Sequence, residues 1–268
     1  MKNSKERIVI RIGQHHLSFL SVNTDGTDQP INYEPYVVKS GMSMAANLRE
    51  ALKGAGLAKM GVNRAMVMID TPALLVPVEI FEEEKMAVMY YQSFPHKEQE
   101  LVLYNVLPDL NAVAVFAMNK DLKTVLDDNF SDLRITVAMS PVWRHLHRRS
   151  FTGARAKLYG YLHDQQLDVF AFQQNRFKFC NHFEASRTPD VVYFLLYVWK
   201  QLMLQADQDE LHLVGDGLTD ERSELVDQLH CYLKNVYVVN PSADFNRAAV
   251  TRIKGMPFDL MALLTKGL

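Results

Sequence analysis

Cysteine is almost missing from this chain: 268 residues contain two, Cys180 and Cys231. Two thiols exclude a disulfide framework and a cysteine-rich zinc site, and they suit a reducing compartment. An excess of one charge is missing too. The 29 Lys and Arg stand against 31 Asp and Glu, a formal net charge of -2. No global field therefore draws in nucleic acid or an anionic membrane. Long apolar runs are absent as well. The richest stretch, residues 191–204, contains Lys200 and Gln201 and falls short of the roughly 18 apolar residues that cross a bilayer. Residues 8–12 are broken by Arg11 and are too short for the core of a signal peptide. The expectation is a cytoplasmic protein with no nucleic-acid partner and no direct membrane insertion. What is present is ordinary globular material, 48% hydrophobic and 22% charged, which excludes disorder as the main state. At about 150 residues per domain the length allows one large domain or two modest ones.

The chain carries a concealed repeat. Residues 7–21 alternate apolar and polar, break at Gly13 to His16, and resume with Leu17, Phe19 and Leu20, the pattern of two strands joined by a tight turn. A third strand is expected over 33–39. A helix follows, with Met44, Leu48, Ala51, Leu52 and Ala55 on one face, then a buried-type strand over 65–69 that ends at Asp70. The same order returns after Arg155: strands over 157–162, 167–172 and 177–183, a turn over 163–166, and a helix with Thr188 as N-cap and Pro189 as first residue. A strand over 210–214 ends at Gly215-Asp216-Gly217. The two copies stand about 145 to 148 residues apart, which indicates a duplicated domain rather than a solenoid.

The halves then diverge and rejoin. Helix 223–233, strand 236–239 and Asn240-Pro241 answer helix 122–129, strand 134–138 and a closing Ser140-Pro141. The first half therefore holds roughly 45 extra residues, read as a strand (74–80), a helix (82–92) and two strands (101–106 and 113–118). Each half is β-β-β-α-β-α-β, a mixed sheet with helices on its faces. The expected organisation is 1–150 for the first half, with an inserted subdomain at about 72–118, and 151–268 for the second. A cleft between two such halves is the natural ligand site.

This order of elements resembles the actin-like ATPase fold, two ribonuclease-H-like halves. The insert sharpens the resemblance. Val78-Glu79-Ile80-Phe81 with Glu82-Glu83-Glu84, a helix to Phe94-Pro95, two strands, Ala117-Met118-Asn119-Lys120 opening a helix and Val137-Ala138-Met139-Ser140-Pro141 closing are similar to the pilus-assembly PilM family and its relative FtsA. The whole chain also looks like an uncharacterised bacterial family of actin-like fold, known only as a domain of unknown function. That resemblance implies a fold and leaves the activity open.

The resemblance also says where nucleotide would sit. Actin-like ATPases carry an Asp-x-Gly phosphate turn on the first hairpin of each half, the aspartate holding magnesium through water and the glycine admitting the phosphates. Here the first hairpin reads Arg11-Ile12-Gly13-Gln14-His15-His16-Leu17-Ser18. Arg11 takes the place of the aspartate, while Gly13, Gln14 and Ser18 remain as candidates. The second reads His163-Asp164-Gln165-Gln166, with Asp164 its sole carboxylate and Gln165 beside it. The third signature, a Gly-Gly turn that packs on adenosine, is here Gly215-Asp216-Gly217, which also reads as a plain turn between strand and helix. Magnesium favours carboxylate and phosphate oxygens, and losing a positioned catalytic group costs about 100- to 10,000-fold in rate. ATP and magnesium remain possible ligands of these eight positions.

Other constellations have plain readings. His15 and His16 point to opposite faces of a strand, and read as a solvated hairpin tip. His145, His147, Arg144, Arg148 and Arg149 read as a solvated helix with cations near its C-terminal end; with Arg155 they offer an alternative anion or acidic-partner site. Cys180 and Cys231 read as buried structural thiols. Asp70 has the place of a base in sugar kinases of related fold, but the sequence offers it no partner. A methyltransferase reading of the Gly215 turn fails because only about 50 residues remain after it. A ribonuclease-type nuclease fails for want of a carboxylate on the first strand. The tail 258–264 is amphipathic and reads as a helix covering its own sheet. The functional expectation is an interaction or scaffold protein, a pseudo-ATPase with a protein partner. The alternatives are an ATP-binding switch that closes the halves, and a small-molecule kinase with Asp70 as base.

Overall fold

The computed structural model describes residues 7–22, 31–56, 61–151, 154–173, 176–215 and 224–265. It falls into two compact units, Met1–Leu107 with Val113–Ser140, and Pro108–Ala112 with Pro141–Leu268.

The first unit is built on a five-stranded sheet from β1 (Ile8–Ile12), β2 (His16–Val22), β3 (Ile31–Val37), β4 (Arg64–Ile69) and β8 (Asp132–Val137). Its order is β3-β2-β1-β4-β8. β1 and β2 run antiparallel as a hairpin, while β4 lies parallel to both β1 and β8. The alternation of the sequence sends Ile8, Ile10, Ile12, Leu17, Phe19, Ala65 and Val67 to one face. There they meet α1 (Met44–Gly54) and α3 (Lys120–Asn129) through Leu48, Leu52, Leu122 and Leu126. Each such side chain contributes about 1.5–3 kcal/mol on burial. Ser43 and Asn119 cap the two helices through their side-chain oxygens.

Between β4 and α3 the unit carries a smaller sheet of β5 (Ala73–Pro77), β6 (Glu100–Leu107) and β7 (Ala112–Asn119), in the order β5-β7-β6. Helix α2 (Met86–Ser93) packs on it through Tyr90 against Val76, Val102 and Val115. Asn105 of β6 joins this sheet to the larger one. Its amide donates to the Ile135 carbonyl at 3.0 Å and its oxygen accepts the Val137 N–H at 2.9 Å.

The second unit repeats the design. β9 (Lys157–His163), β10 (Gln166–Gln173), β11 (Arg176–Glu184), β12 (Glu210–Gly215) and β13 (Val236–Val238) lie in the order β11-β10-β9-β12-β13. The antiparallel and parallel pairings follow those of the first sheet. Helices α5 (Thr188–Gln201) and α6 (Glu224–His230) cover one face through Leu195, Trp199 and Leu229. The unit is completed by α4 (Met139–Ser150), which begins at the end of the first unit, and by α7 (Pro241–Asp244) and α8 (Phe258–Leu264). Phe258 of α8 packs on Tyr161 of β9. Among the described residues no helix is long and apolar enough to cross a membrane.

The structure departs from the sequence expectations in several places. The strand expected over 74–80 ends at Pro77, which has no N–H to donate, and Val78–Ile80 form a 3-10 turn. The helix expected from Glu82 begins as a 3-10 turn at Glu83–Lys85 and continues as α2, whose N-cap residue Lys85 makes no side-chain cap hydrogen bond. Ser140 and Pro141 lie in the first turn of α4, where proline is tolerated, and do not form a closing turn. The residue before α5 is Arg187; Thr188 and Pro189 are already helical. Helix α6 stops at His230, short of residue 233, and Cys231 is exposed rather than buried. Ser223 lies outside the described residues.

Candidate functional site

The first hairpin holds Gly13, Gln14 and Ser18. Gly13 donates its N–H to the His16 carbonyl at 2.9 Å, and Gln14, His15 and His16 are exposed at the tip. Ser18 faces Arg11 across the β1–β2 ladder, and both are buried. Arg11 does not reach solvent. Its Nη2 donates to Asp70 Oδ2 at 3.1 Å, with the two side chains 3% and 4% exposed. Asp70 follows β4, and its N–H donates to the Ile12 carbonyl at 2.9 Å, which brings it level with the hairpin. The partner that the sequence did not offer Asp70 is thus the arginine standing where a magnesium-holding carboxylate was expected.

The second hairpin is tighter than the expected 163–166 turn. His163 and Gln166 pair with each other, leaving Asp164 (φ 43) and Gln165 (φ 63) as its two turn residues. Two consecutive left-handed residues match the right-handed strand twist, and glycine or asparagine is the usual choice. Here Asp164 and Gln165 occupy that turn. Beside it a cleft of about 210 Å³ is lined by His163, Asp164, Gln165, Ser186, Arg187 and Thr188.

Gly215 closes β12 opposite Leu162 of β9, so the structure brings it alongside the second hairpin. Its φ is +121, and a Cβ there would lie 1.9 Å from the Leu162 carbonyl oxygen. Only glycine fits. Asp216 and Gly217 lie outside the described residues.

A buried polar cluster in the same sheet escaped the sequence reading. His163 Nε2 lies 2.6 Å from Asp168 Oδ2, and His182 Nδ1 lies 3.2 Å from Oδ1. Burial works against the Asp168 charge, yet the hydrogen bonds from His163 and His182 hold its carboxyl below the usual range. Burial, with Asp168 nearby, pushes the Cys180 thiol well up. Cys180 itself is half-buried rather than fully buried, and the raised pKa disfavours its thiolate. The β10–β11 register puts Asp168 opposite His182; this pairing was the available signal, but it requires knowing the register. Tyr161 stacks on His163 with ring centroids 4.5 Å apart.

Helix α4 is not the solvated helix expected. Its Val142, Trp143, Leu146 and His147 are buried. Arg144 pairs with Asp109 at 3.5 Å, and His145 and Arg149 both engage the buried Asp244 of α7. His147 rests against Phe151 and Phe172. With Arg149 engaged by the buried Asp244, an anion site on this helix loses one of its cations, while Arg144 faces the exposed Asp109. Among the described residues, no group of three His, Cys, Asp or Glu side chains is placed to hold a metal.

The model of a family described as protein of unknown function (DUF3822) matches residues 1–236. The chain belongs to the DUF3822 family. A crystal structure from Bacteroides thetaiotaomicron VPI-5482, a protein with actin-like ATPase fold and unknown function, is 28% identical to this DUF3822 chain. The match covers 92% of this chain and 96% of that one, with a TM-score of 0.81. A structure of the PilM-PilN type IV pilus biogenesis complex matches at 14% identity over 89% of each chain, with a TM-score of 0.55; at that identity the likeness is one of fold. No curated protein matches. The DUF3822 chain has the actin-like ATPase fold.

Proposed function

We propose that this protein is a pseudo-ATPase, an actin-like protein that works by holding a protein partner rather than by hydrolysing nucleotide. The Arg11–Asp70 ion pair carries the reading. A guanidinium is always charged and has no lone pair for a metal. Asp70, the carboxylate brought level with this hairpin, is bound to Arg11 and buried, so neither group is free to position magnesium. The same pair argues against a small-molecule kinase, because a base held in a buried ion pair is a poor proton acceptor.

A partner-holding role is supported by the likeness to a protein solved as the PilM-PilN complex. It is supported further by apolar side chains exposed on and near the inserted sheet, Ile80 at 65%, Val88 at 62% and Val106 at 53%. Two free thiols suit work in the cytoplasm. Calorimetric titration with ATP, with and without magnesium, tests the reading. The expected result is no magnesium-dependent binding and no phosphate release. Tight, magnesium-dependent binding would overturn it and favour the second reading, a nucleotide-driven switch, which has Gly215 and its close backbone approach in its favour.

A further inference from the structure

Away from both hairpins, the first unit has a cavity of about 690 Å³ between edge strand β3 and the end of α1. Its volume falls in the range of pockets that enclose small molecules. Phe19 lies against it from β2, Tyr33 and Tyr36 from β3, and the α1 side is formed by small residues, Ala51, Gly54 and Ala55. Gly54 is exposed at the cavity's edge, and a Cβ added there would meet nothing within 4 Å. Gly54 is the last residue of α1 and leaves the wall without a side chain there.

The charges of this cavity are unequally satisfied. Glu50 pairs with Lys39 at the exposed mouth, and Tyr36 donates to Asn47 at 3.3 Å. Lys53 is exposed at the last turn of α1. Glu34 differs. It sits opposite Phe19 in the β2–β3 register and is half-buried. It accepts one hydrogen bond, from the Gly56 N–H at 3.0 Å, and among the described residues no cation pairs with it. A carboxylate with a single neutral donor, in a cavity lined by aromatic side chains, is a setting that favours a positive ligand over a neutral one.

We propose that this cavity binds a small organic cation, an amine carried on an apolar body, with Glu34 as its counterion. The apolar body takes the place against Phe19 and Ala51, and the ammonium donates to the Glu34 oxygens. This site is independent of the nucleotide question, since none of its residues lies in either hairpin turn.

The test is calorimetric titration of the full chain with three probes that share one body: phenethylamine, phenethyl alcohol and phenylacetate. The amine is expected to bind about tenfold more tightly than the alcohol, the advantage of a charged hydrogen-bond partner, and phenylacetate not at all. Glu34→Gln keeps an acceptor for Gly56 and should bring the amine down to the level of the alcohol. Gly54→Leu places a branched side chain at the α1 wall and should abolish binding of all three with the far-UV circular dichroism unchanged. Equal binding of amine and alcohol by the natural protein, no saturable binding by any probe, or amine binding that survives Gly54→Leu would overturn the proposal.

Discussion

Arg11 and Asp70 lie 59 positions apart in the chain and meet at 3.1 Å across two parallel strands, with almost no contact with water. A pair this deeply buried is costly to break from one side, because the surviving charge has no solvent to return to. Arg11→Met alone should destabilise the protein by about 3–5 kcal/mol, and Asp70→Asn alone by a similar amount. The double substitution should cost clearly less than the sum of the two. Urea unfolding of the four proteins measures this; strict additivity would show that the two groups are not coupled.

Two glycines of the second sheet should respond very differently to alanine. At Gly215 the added methyl collides with the Leu162 backbone and the φ of +121 is itself strained, so a loss of about 3 kcal/mol or more is expected. At Gly160 the nearest atom, at 2.9 Å, is the end of the Leu195 side chain, which can rotate away at a cost of about 1–2 kcal/mol. Equal losses in thermal unfolding would contradict the assignment of backbone against side-chain obstruction.

Asn105→Leu should loosen the inserted sheet from β8. It strips partners from the Ile135 carbonyl and the Val137 N–H, each worth about 1–3 kcal/mol when left unsatisfied. Hydrogen exchange should accelerate at Val137 while the amide of Leu213, in the other unit, keeps its natural rate.

Acid should weaken the protein through His212. Burial depresses its pKa below the ordinary 6.5, only partly opposed by the hydrogen bond with Glu210. The unfolded chain therefore takes up a proton before the folded one does. Stability is full above pH 6.5 and is lost as pH falls from there toward the depressed value, levelling off below it. His212→Asn should flatten this part of the profile, measured as urea midpoints between about pH 7.5 and 5. An unchanged slope would assign the effect to another group.

The sequence was legible where one face of an element is buried. The period of two in β1 and β2 and the helical spacing of Leu48, Ala51 and Leu52 each report a core that must be covered, and the matching strand orders of the two sheets follow from that same patterning. What stayed hidden was decided by partners far along the chain. Arg11 looked like a simple loss of a ligand until Asp70 stood beside it. Asp168 looked like the polar half of an alternating strand until the register set it between His163 and His182. His145 and Arg149 of α4 looked solvent-facing because Asp244, their buried acceptor, lies about 95–100 residues later and has no local signature.

The attachment through Asn105 reaches beyond the insert. A border strand offers free N–H and C=O groups to any passing chain, and proteins guard against such recruitment. On one flank of the first sheet Asn105 already occupies those groups at Ile135 and Val137. On the opposite flank Pro35 contributes no donor to β3. The first sheet is thus guarded on both borders at these positions, which disfavours lengthwise growth of that sheet by an added strand.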